Sequence, residues 1–60
     1  MSLTDYTQLI NQLIVANQTK RFKEAAILKD RAREAYSALS EIEREKTKNI
    51  VAMLTMYHNA

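Results

Sequence analysis

The chain contains no cysteine, no glycine and no proline among its 60 residues. Without cysteine it has neither disulfides nor thiolate metal sites, and its one histidine, His58, cannot form a metal site alone. Without glycine it has no glycine-rich phosphate-binding loop. Chains this small bury little surface and usually depend on disulfides, metals or oligomerisation for stability. The composition therefore leaves oligomerisation, or a larger partner, as the expected source of stability.

Long apolar runs are also missing. The longest are Leu13 to Ala16 and Ile50 to Leu54, which are far shorter than the ~20 residues of a membrane-spanning helix. No positively charged start is followed by a long apolar run, so a signal peptide is not expected. We therefore expect a cytoplasmic protein without membrane association, and the start at Met1 suggests a complete small gene product.

Residue patterns typical of catalysis are absent as well. None of the three serines has a histidine within helical reach, and His58 lies near the C-terminus, where chains fray. Carboxylates one helical turn apart occur as Asp30 with Glu34 and Glu41 with Glu45. Their helical angles place them opposite the apolar positions, which indicates a solvated face with i,i+4 ion pairs. We expect no enzymatic activity, no cofactor and no metal.

The first 17 residues predict an amphipathic helix over 3–17. Its apolar positions follow the 3-4 spacing of a heptad seam and are Leu3, Tyr6, Ile10 and Leu13, with polar Asn17 at the end. Ser2 followed three residues later by Asp5 predicts a capping box. Residues 17–19 are turn formers, in which Asn17 could adopt the left-handed conformation and Thr19 could cap the next helix.

Residues 20–57 predict a second, much longer helix. At 100° per residue one apolar stripe comprises Phe22, Ala25, Leu28, Ala32, Ala35, Tyr36, Leu39, Ile42, Ile50, Met53, Leu54 and Tyr57. The small alanines would let the first helix approach closely. The predicted fold is all-α, a single domain over 1–60 forming an antiparallel helical hairpin with a long extended second helix. The alternative is a break near 46–49 and a third helix that folds back.

The C-terminal half of this second helix predicts self-association. Residues 50–57 are apolar almost all round, and a helix of that kind must be surrounded by other elements. A short first helix that folds back cannot reach them. We therefore expect a homo-oligomeric bundle or coiled coil whose interface contains Ile50, Met53, Leu54 and Tyr57.

Positive charge collects at the start of the second helix, where Lys20, Arg21 and Lys23 form a possible contact for phosphate or for an acidic partner. The cations of this region point in different directions, and no aromatic residues are interleaved for base stacking. Nucleic-acid binding is therefore the weaker expectation. Oligomerisation could nevertheless bring several copies of Lys20 and Arg21 together in one pocket.

Residues 16–30, with the sequence ANQTKRFKEAAILKD, resemble the UVR motif of the excision-repair proteins UvrB and UvrC. The matching aromatic, alanine pair, aliphatic and acid are Phe22, Ala25, Ala26, Leu28 and Asp30. The departures are Lys29 in place of arginine, Lys23 where an acid is usual, and Ala32 where a larger aliphatic is common. The resemblance implies a helical hairpin that mediates protein association, and the charge reversal at Lys23 puts the family's partners in doubt.

The sequence thus predicts a small regulatory interaction protein that self-associates and binds a larger protein through helical surfaces. An adaptor or a phage-type inhibitor would fit this description. The alternative is an oligomeric protein that binds nucleic acid or nucleotides through Lys20, Arg21 and Lys23.

Overall fold

The computed structural model describes residues 2–59, which form three α-helices: α1 (Leu3–Gln18), α2 (Phe22–Ser37) and α3 (Glu41–Asn59). Those residues contain no strand, so the predicted all-α class is confirmed. None of the three helices combines the length and the apolar character that crossing a bilayer requires, as far as residues 2–59 are concerned.

The start of α1 has the capping box that the sequence predicts. The Ser2 hydroxyl accepts a hydrogen bond from the backbone N–H of Asp5, and the Asp5 carboxylate accepts one from the backbone N–H of Ser2 at 3.1 Å. Two amides that no helical carbonyl can reach are thereby satisfied. The first helix therefore begins where its sequence predicts.

The turn between α1 and α2 differs from the prediction in detail. The residue with left-handed backbone is Lys20, with φ 61°, and not Asn17. The Thr19 hydroxyl donates back to the carbonyl of Val15, so it does not cap α2, and Arg21 at the N-cap position makes no side-chain cap either. The backbone N–H of Arg21 donates to the carbonyl of Ala16 and holds the turn closed.

The prediction of one long helix over 20–57 is wrong. The third helix that folds back, which was the alternative, is found, but the break lies at 38–40 and not near 46–49. The second helix ends at Ser37, and α3 begins at Glu41. A second capping box starts α3: the Ser40 hydroxyl accepts from the Glu43 N–H at 3.2 Å, and the Glu43 carboxylate accepts from the Ser40 N–H at 3.0 Å. The Arg44 guanidinium donates to the last carbonyls of α2, those of Tyr36 and Ser37.

The helices lie side by side, with α1 in the middle. Helix α2 is antiparallel to α1. The start of α2 lies at the end of α1, where the backbone N–H of Arg21 donates to the carbonyl of Ala16. The end of α2 lies near the start of α1, where the ring centroids of Tyr36 and Tyr6 are 5.8 Å apart. Helix α3 runs parallel to α1 on the other side and hardly touches α2. The Cα atoms span 32 × 25 × 12 Å, so the molecule is flattened, with a thickness about half of its width. We describe this arrangement, in which α1 separates α2 from α3, as a single layer.

The core is small because a single layer encloses little volume. Its buried residues are Tyr6, Ile10, Ala32, Ala35 and Leu39. Alanines occupy the positions of α2 that face α1, as predicted, and allow a close approach of the two helices. The largest side chains in the cluster keep 8–9 % of their surface exposed. Much apolar surface is therefore left for other contacts.

Candidate interaction surfaces

The most exposed apolar surface of the molecule lies on the side of α3 that faces away from α1. We call Ile42, Met53, Met56 and Tyr57 the α3 outer stripe. Their exposed fractions are 70 %, 69 %, 72 % and 78 %. Because α3 has one close neighbour, only the opposite side of the helix is covered, where Val51 and Leu54 pack against the core.

The four residues of the predicted oligomer interface separate into two groups. Met53 and Tyr57 lie on the α3 outer stripe. Leu54 packs against the core of its own chain, and Ile50 is half-buried. Met56 and Ile42 join the exposed group instead. The reason is the break at 38–40, because α3 folds back there and lies along α1. Leu54 therefore reaches the core, and the expectation that the first helix cannot reach residues 50–57 is wrong.

A heptad spacing runs along the exposed side of α3 and includes three residues of the α3 outer stripe, with Tyr57 beside it. Ile42, Lys46, Asn49, Met53 and Met56 are separated by alternating steps of four and three residues, which is the pattern of a coiled-coil seam. The second and third of these five positions are polar and exposed, and the other three are apolar. Such polar seam positions lower the stability of a coiled coil and fix its register.

The last turn of α3 is anchored to α1. The His58 ring nitrogen Nε2 lies 2.8 Å from the Asn11 side-chain oxygen, and the His58 carbonyl accepts a hydrogen bond from the Gln18 amide. The Tyr57 ring meets the His58 ring edge-on, with 5.4 Å between centroids. The expected fraying of His58 is therefore not found, and Met56 and Tyr57 are presented on a helix that α1 holds in place.

The basic turn, residues 20–23, has an aromatic residue at its centre, so the expectation that no aromatic is interleaved among these cations is wrong. Arg21 is tied to its own neighbours, since its guanidinium lies 3.2 Å from Glu24 and donates to the Thr19 hydroxyl. Phe22, which the apolar stripe predicted to be buried, is 64 % exposed. It is the first residue of α2 and precedes the first alanine that faces α1. Lys20 and Lys23 are exposed on either side of it.

A groove of about 480 Å³ lies between α1 and α2, and we call it the α1–α2 groove. Its floor is apolar and consists of Tyr6, Ile10, Leu13 and Ala32. The cationic side chains of Lys29 and Arg33 line the α2 side. Sequence reasoning missed this surface, because it depends on how two helices pack.

The titration behaviour of two groups reflects the packing at the start of α1. Burial raises the pKa of the Tyr6 hydroxyl above its usual value of 10.0, and the neighbouring Tyr36 raises it further. The backbone and then the hydroxyl of Ser40 lower the pKa of Glu43 below its usual 4.5, and the Leu3 amide adds to this effect. The Arg44 guanidinium covers the Tyr36 ring at 5.4 Å.

No group of three histidine, aspartate or glutamate side chains within residues 2–59 is arranged to hold a metal ion. A wider depression of about 730 Å³ beside the start of α3 has mixed charges along its walls, with both Glu41 and Lys48 among its lining residues. Tyr36 and Ile42 supply its apolar part, but its charged residues carry both signs, so it lacks the single-sign rim of the α1–α2 groove.

The segment that resembles the UVR motif, residues 16–30, forms the end of α1, the turn and the first half of α2. It is thus a helix–turn–helix corner, with Ala25 buried and Ala26 exposed. Comparison with known proteins finds no matching family model, no matching curated protein and no matching solved structure. The UVR resemblance therefore rests on the residues alone.

Proposed function

We propose that this protein is a small, non-enzymatic, cytoplasmic interaction protein that self-associates through the α3 outer stripe and binds a larger protein through another helical surface. The observation that carries the proposal is the exposure of Met53, Met56 and Tyr57 along one side of α3, whose last turn is anchored to α1 through His58 and Asn11. Methionine and tyrosine are enriched at the centre of protein interfaces, where charged residues are depleted. Contiguous exposed apolar residues of this kind mark interaction sites.

The α3 outer stripe supports self-association more than the predicted set of four residues did. Leu54 packs against the core of its own chain, and Ile50 is half-buried, so part of the surface of both residues is already covered within the single chain. The heptad spacing from Ile42 to Met56 gives a second copy of α3 a matching seam. An assembly of this kind would be a coiled coil or bundle built from the outer sides of α3.

Self-association is tested with Met53→Glu combined with Tyr57→Glu, because burying unpaired charge in an apolar seam is costly. We expect the unaltered chain to show a molar mass above that of one chain in light scattering, and the double variant to be a monomer. Ala52→Glu with Thr55→Glu is the matched control, since both residues are exposed on the same helix outside the seam. A monomer at every concentration for the unaltered chain would refute self-association.

Partner binding is the regulatory part of the proposal, as an adaptor or as an inhibitor of the phage type. It is supported by the α1–α2 groove, which lies apart from the α3 outer stripe and leaves a second surface available in the oligomer. Kinship with UVR hairpins would imply the same kind of role. Capture experiments with the monomeric double variant would show whether partner binding depends on self-association.

Binding of nucleic acid or nucleotides is the second candidate, favoured by one observation. Phe22 is exposed beside Lys20 and Lys23, and an aromatic ring among cations can stack on a base. Changing Lys20, Arg21 and Lys23 to Gln together should abolish such binding. Fluorescence anisotropy with labelled oligonucleotides and cyclic dinucleotides at two salt concentrations tests it, because phosphate binding falls steeply with salt. Tight, salt-resistant binding would make this candidate the better one.

A further inference from the structure

We infer that the α1–α2 groove binds an amphipathic helix of a partner protein whose apolar residues are flanked by acidic side chains. This inference rests on the proposed function, because it specifies the class of partner. Three features of the groove carry it: its size, its apolar floor and the single sign of the charge on its rim.

The floor of the groove suits apolar side chains that project from a helix. Tyr6, Ile10 and Ala32 are nearly buried, and half-buried Leu13 extends the floor toward the end of α1. The volume of about 480 Å³ lies within the ~300–1,000 Å³ of ligand pockets. A helix that lies in a groove inserts residues spaced by three and four positions. The floor of the groove runs along α1 and α2, so it can accommodate a row of side chains with this spacing.

The rim determines the charge of the occupant. Lys29 and Arg33 are exposed one helical turn apart on α2, and neither forms an ion pair within residues 2–59. The opposite wall belongs to α1, whose one charged side chain, Asp5, serves in the capping box. Charged groups within an interface are arranged to meet opposite charges. Two acidic residues about one turn apart would complement this rim.

Other occupants match the groove less well. Phosphate groups of a nucleic acid would gain nothing from the apolar floor. A second copy of this chain offers two acidic pairs one turn apart, Asp30 with Glu34 and Glu41 with Glu45. Cations accompany both pairs and would repel the rim; they are Arg31 and Arg33 in α2, and Arg44 and Lys48 in α3. An acidic helix without interspersed cations is therefore the better fit.

The test uses two synthetic helical peptides with the same leucine positions, one with glutamate and one with lysine at the flanking positions. Isotope-labelled full-length protein is titrated with each peptide, and NMR shifts locate the bound region. We expect the glutamate peptide to bind, with shifts at Leu13, Ala32 and Tyr36. The double variant Lys29→Glu with Arg33→Glu should bind it about tenfold more weakly or worse and should now prefer the lysine peptide.

The matched control is Lys23→Glu with Arg31→Glu, which makes the same charge change on other sides of α2 and should leave peptide preference unchanged. Failure of the glutamate peptide to bind, shifts confined to the α3 outer stripe, or no reversal of preference in the rim variant would overturn the inference. Light scattering of the unaltered chain reports on self-association separately. A chain that oligomerises but ignores both peptides would refute the inference and leave self-association intact.

Discussion

The junction of α2 and α3 and the far half of α3 both contain large apolar residues but differ in how many helices are available to cover them. At the junction, Leu39 is 4 % exposed, and Arg44 and the Ser40–Glu43 capping box satisfy the polar groups of both helix ends. In the far half, Met56 is 72 % exposed. The difference lies in the number of neighbours, because parts of all three helices meet at the junction, whereas α1 alone contacts the far half.

In a one-layer protein, the number of neighbours of a helix decides which of its apolar residues are buried. A helix with one neighbour can bury only one side, so apolar residues on its second side have no use within the chain. Leu54 and Met53 are adjacent in sequence, and the first serves the fold while the second faces away from it. Stability measurements on single chains should separate these two roles.

The largest effect is expected for Leu39→Ala. Removing a buried leucine side chain costs about 2–5 kcal/mol, which is a large part of the stability of a 60-residue chain. Met56→Ala should change the free energy of unfolding by about 0.5 kcal/mol or less at a protein concentration low enough to keep the chain monomeric. Urea unfolding measures both. Equal losses would show that the outer side of α3 is covered within the single chain.

Arg44→Met should have the next largest effect, at about 1–2 kcal/mol, because the guanidinium bonds to the Tyr36 and Ser37 carbonyls and stacks on a ring. Thermal unfolding followed by circular dichroism measures it. Lys48→Met is the control, since Lys48 is exposed one turn further along α3 and lies outside the seam. If the two variants melt alike, Arg44 does not hold the junction together.

Lys20→Gly should stabilise the protein by up to about 1 kcal/mol, because glycine adopts a positive φ without the steric cost that lysine incurs. The test compares the urea unfolding midpoints of Lys20→Gly and of Lys23→Gly with that of the unaltered chain. The second change lies inside α2 and should destabilise by about 1 kcal/mol. A loss of stability in both would argue against left-handed backbone at Lys20.

The smallest effect is expected from acid. The pKa of Glu43 is lowered in the folded state, so its contribution is fully present above the usual value of 4.5 and is lost as the pH falls through the folded pKa. Glu43→Gln should remove this part of the pH dependence, because glutamine keeps the size of the side chain but has no carboxylate that titrates. Thermal unfolding between pH 7 and 3 compares the two proteins, with Asp30→Asn as a control at an exposed carboxylate. Parallel acid profiles for Glu43→Gln and the unaltered chain would contradict this contribution of the Glu43 carboxylate.

The fold class, the first helix and its capping box could be predicted because they depend on local patterns. The break at 38–40 could have been found from the spacing of Ser40 and Glu43, which repeats that of Ser2 and Asp5. It was missed because no glycine or proline marks it, and because Leu39 and Ile42 both fit a continuous stripe although only Leu39 is buried.

The candidate surfaces could be predicted only in part. Met53 and Tyr57 were recognisable as excess apolar residues, whereas the separation of Leu54 from them depends on the direction in which α3 leaves the junction. The α1–α2 groove had no sequence signal, because Lys29 and Arg33 belong to it only once Tyr6 packs beside Tyr36. Tertiary packing decides both cases.

The central position of α1 has a consequence for the order in which the molecule opens. The contacts that hold the end of α3 join residues 40 and 47 positions apart, Gln18 with His58 and Asn11 with His58, whereas α2 follows α1 directly. Closing the longer loop costs more chain entropy, and α3 can leave without uncovering α2. Amide hydrogens of α3 should therefore exchange with solvent through a separate opening, faster than those of the α1–α2 pair. The same undocking would free the inner side of α3, with Val51 and Leu54, for exchange between copies in an oligomer.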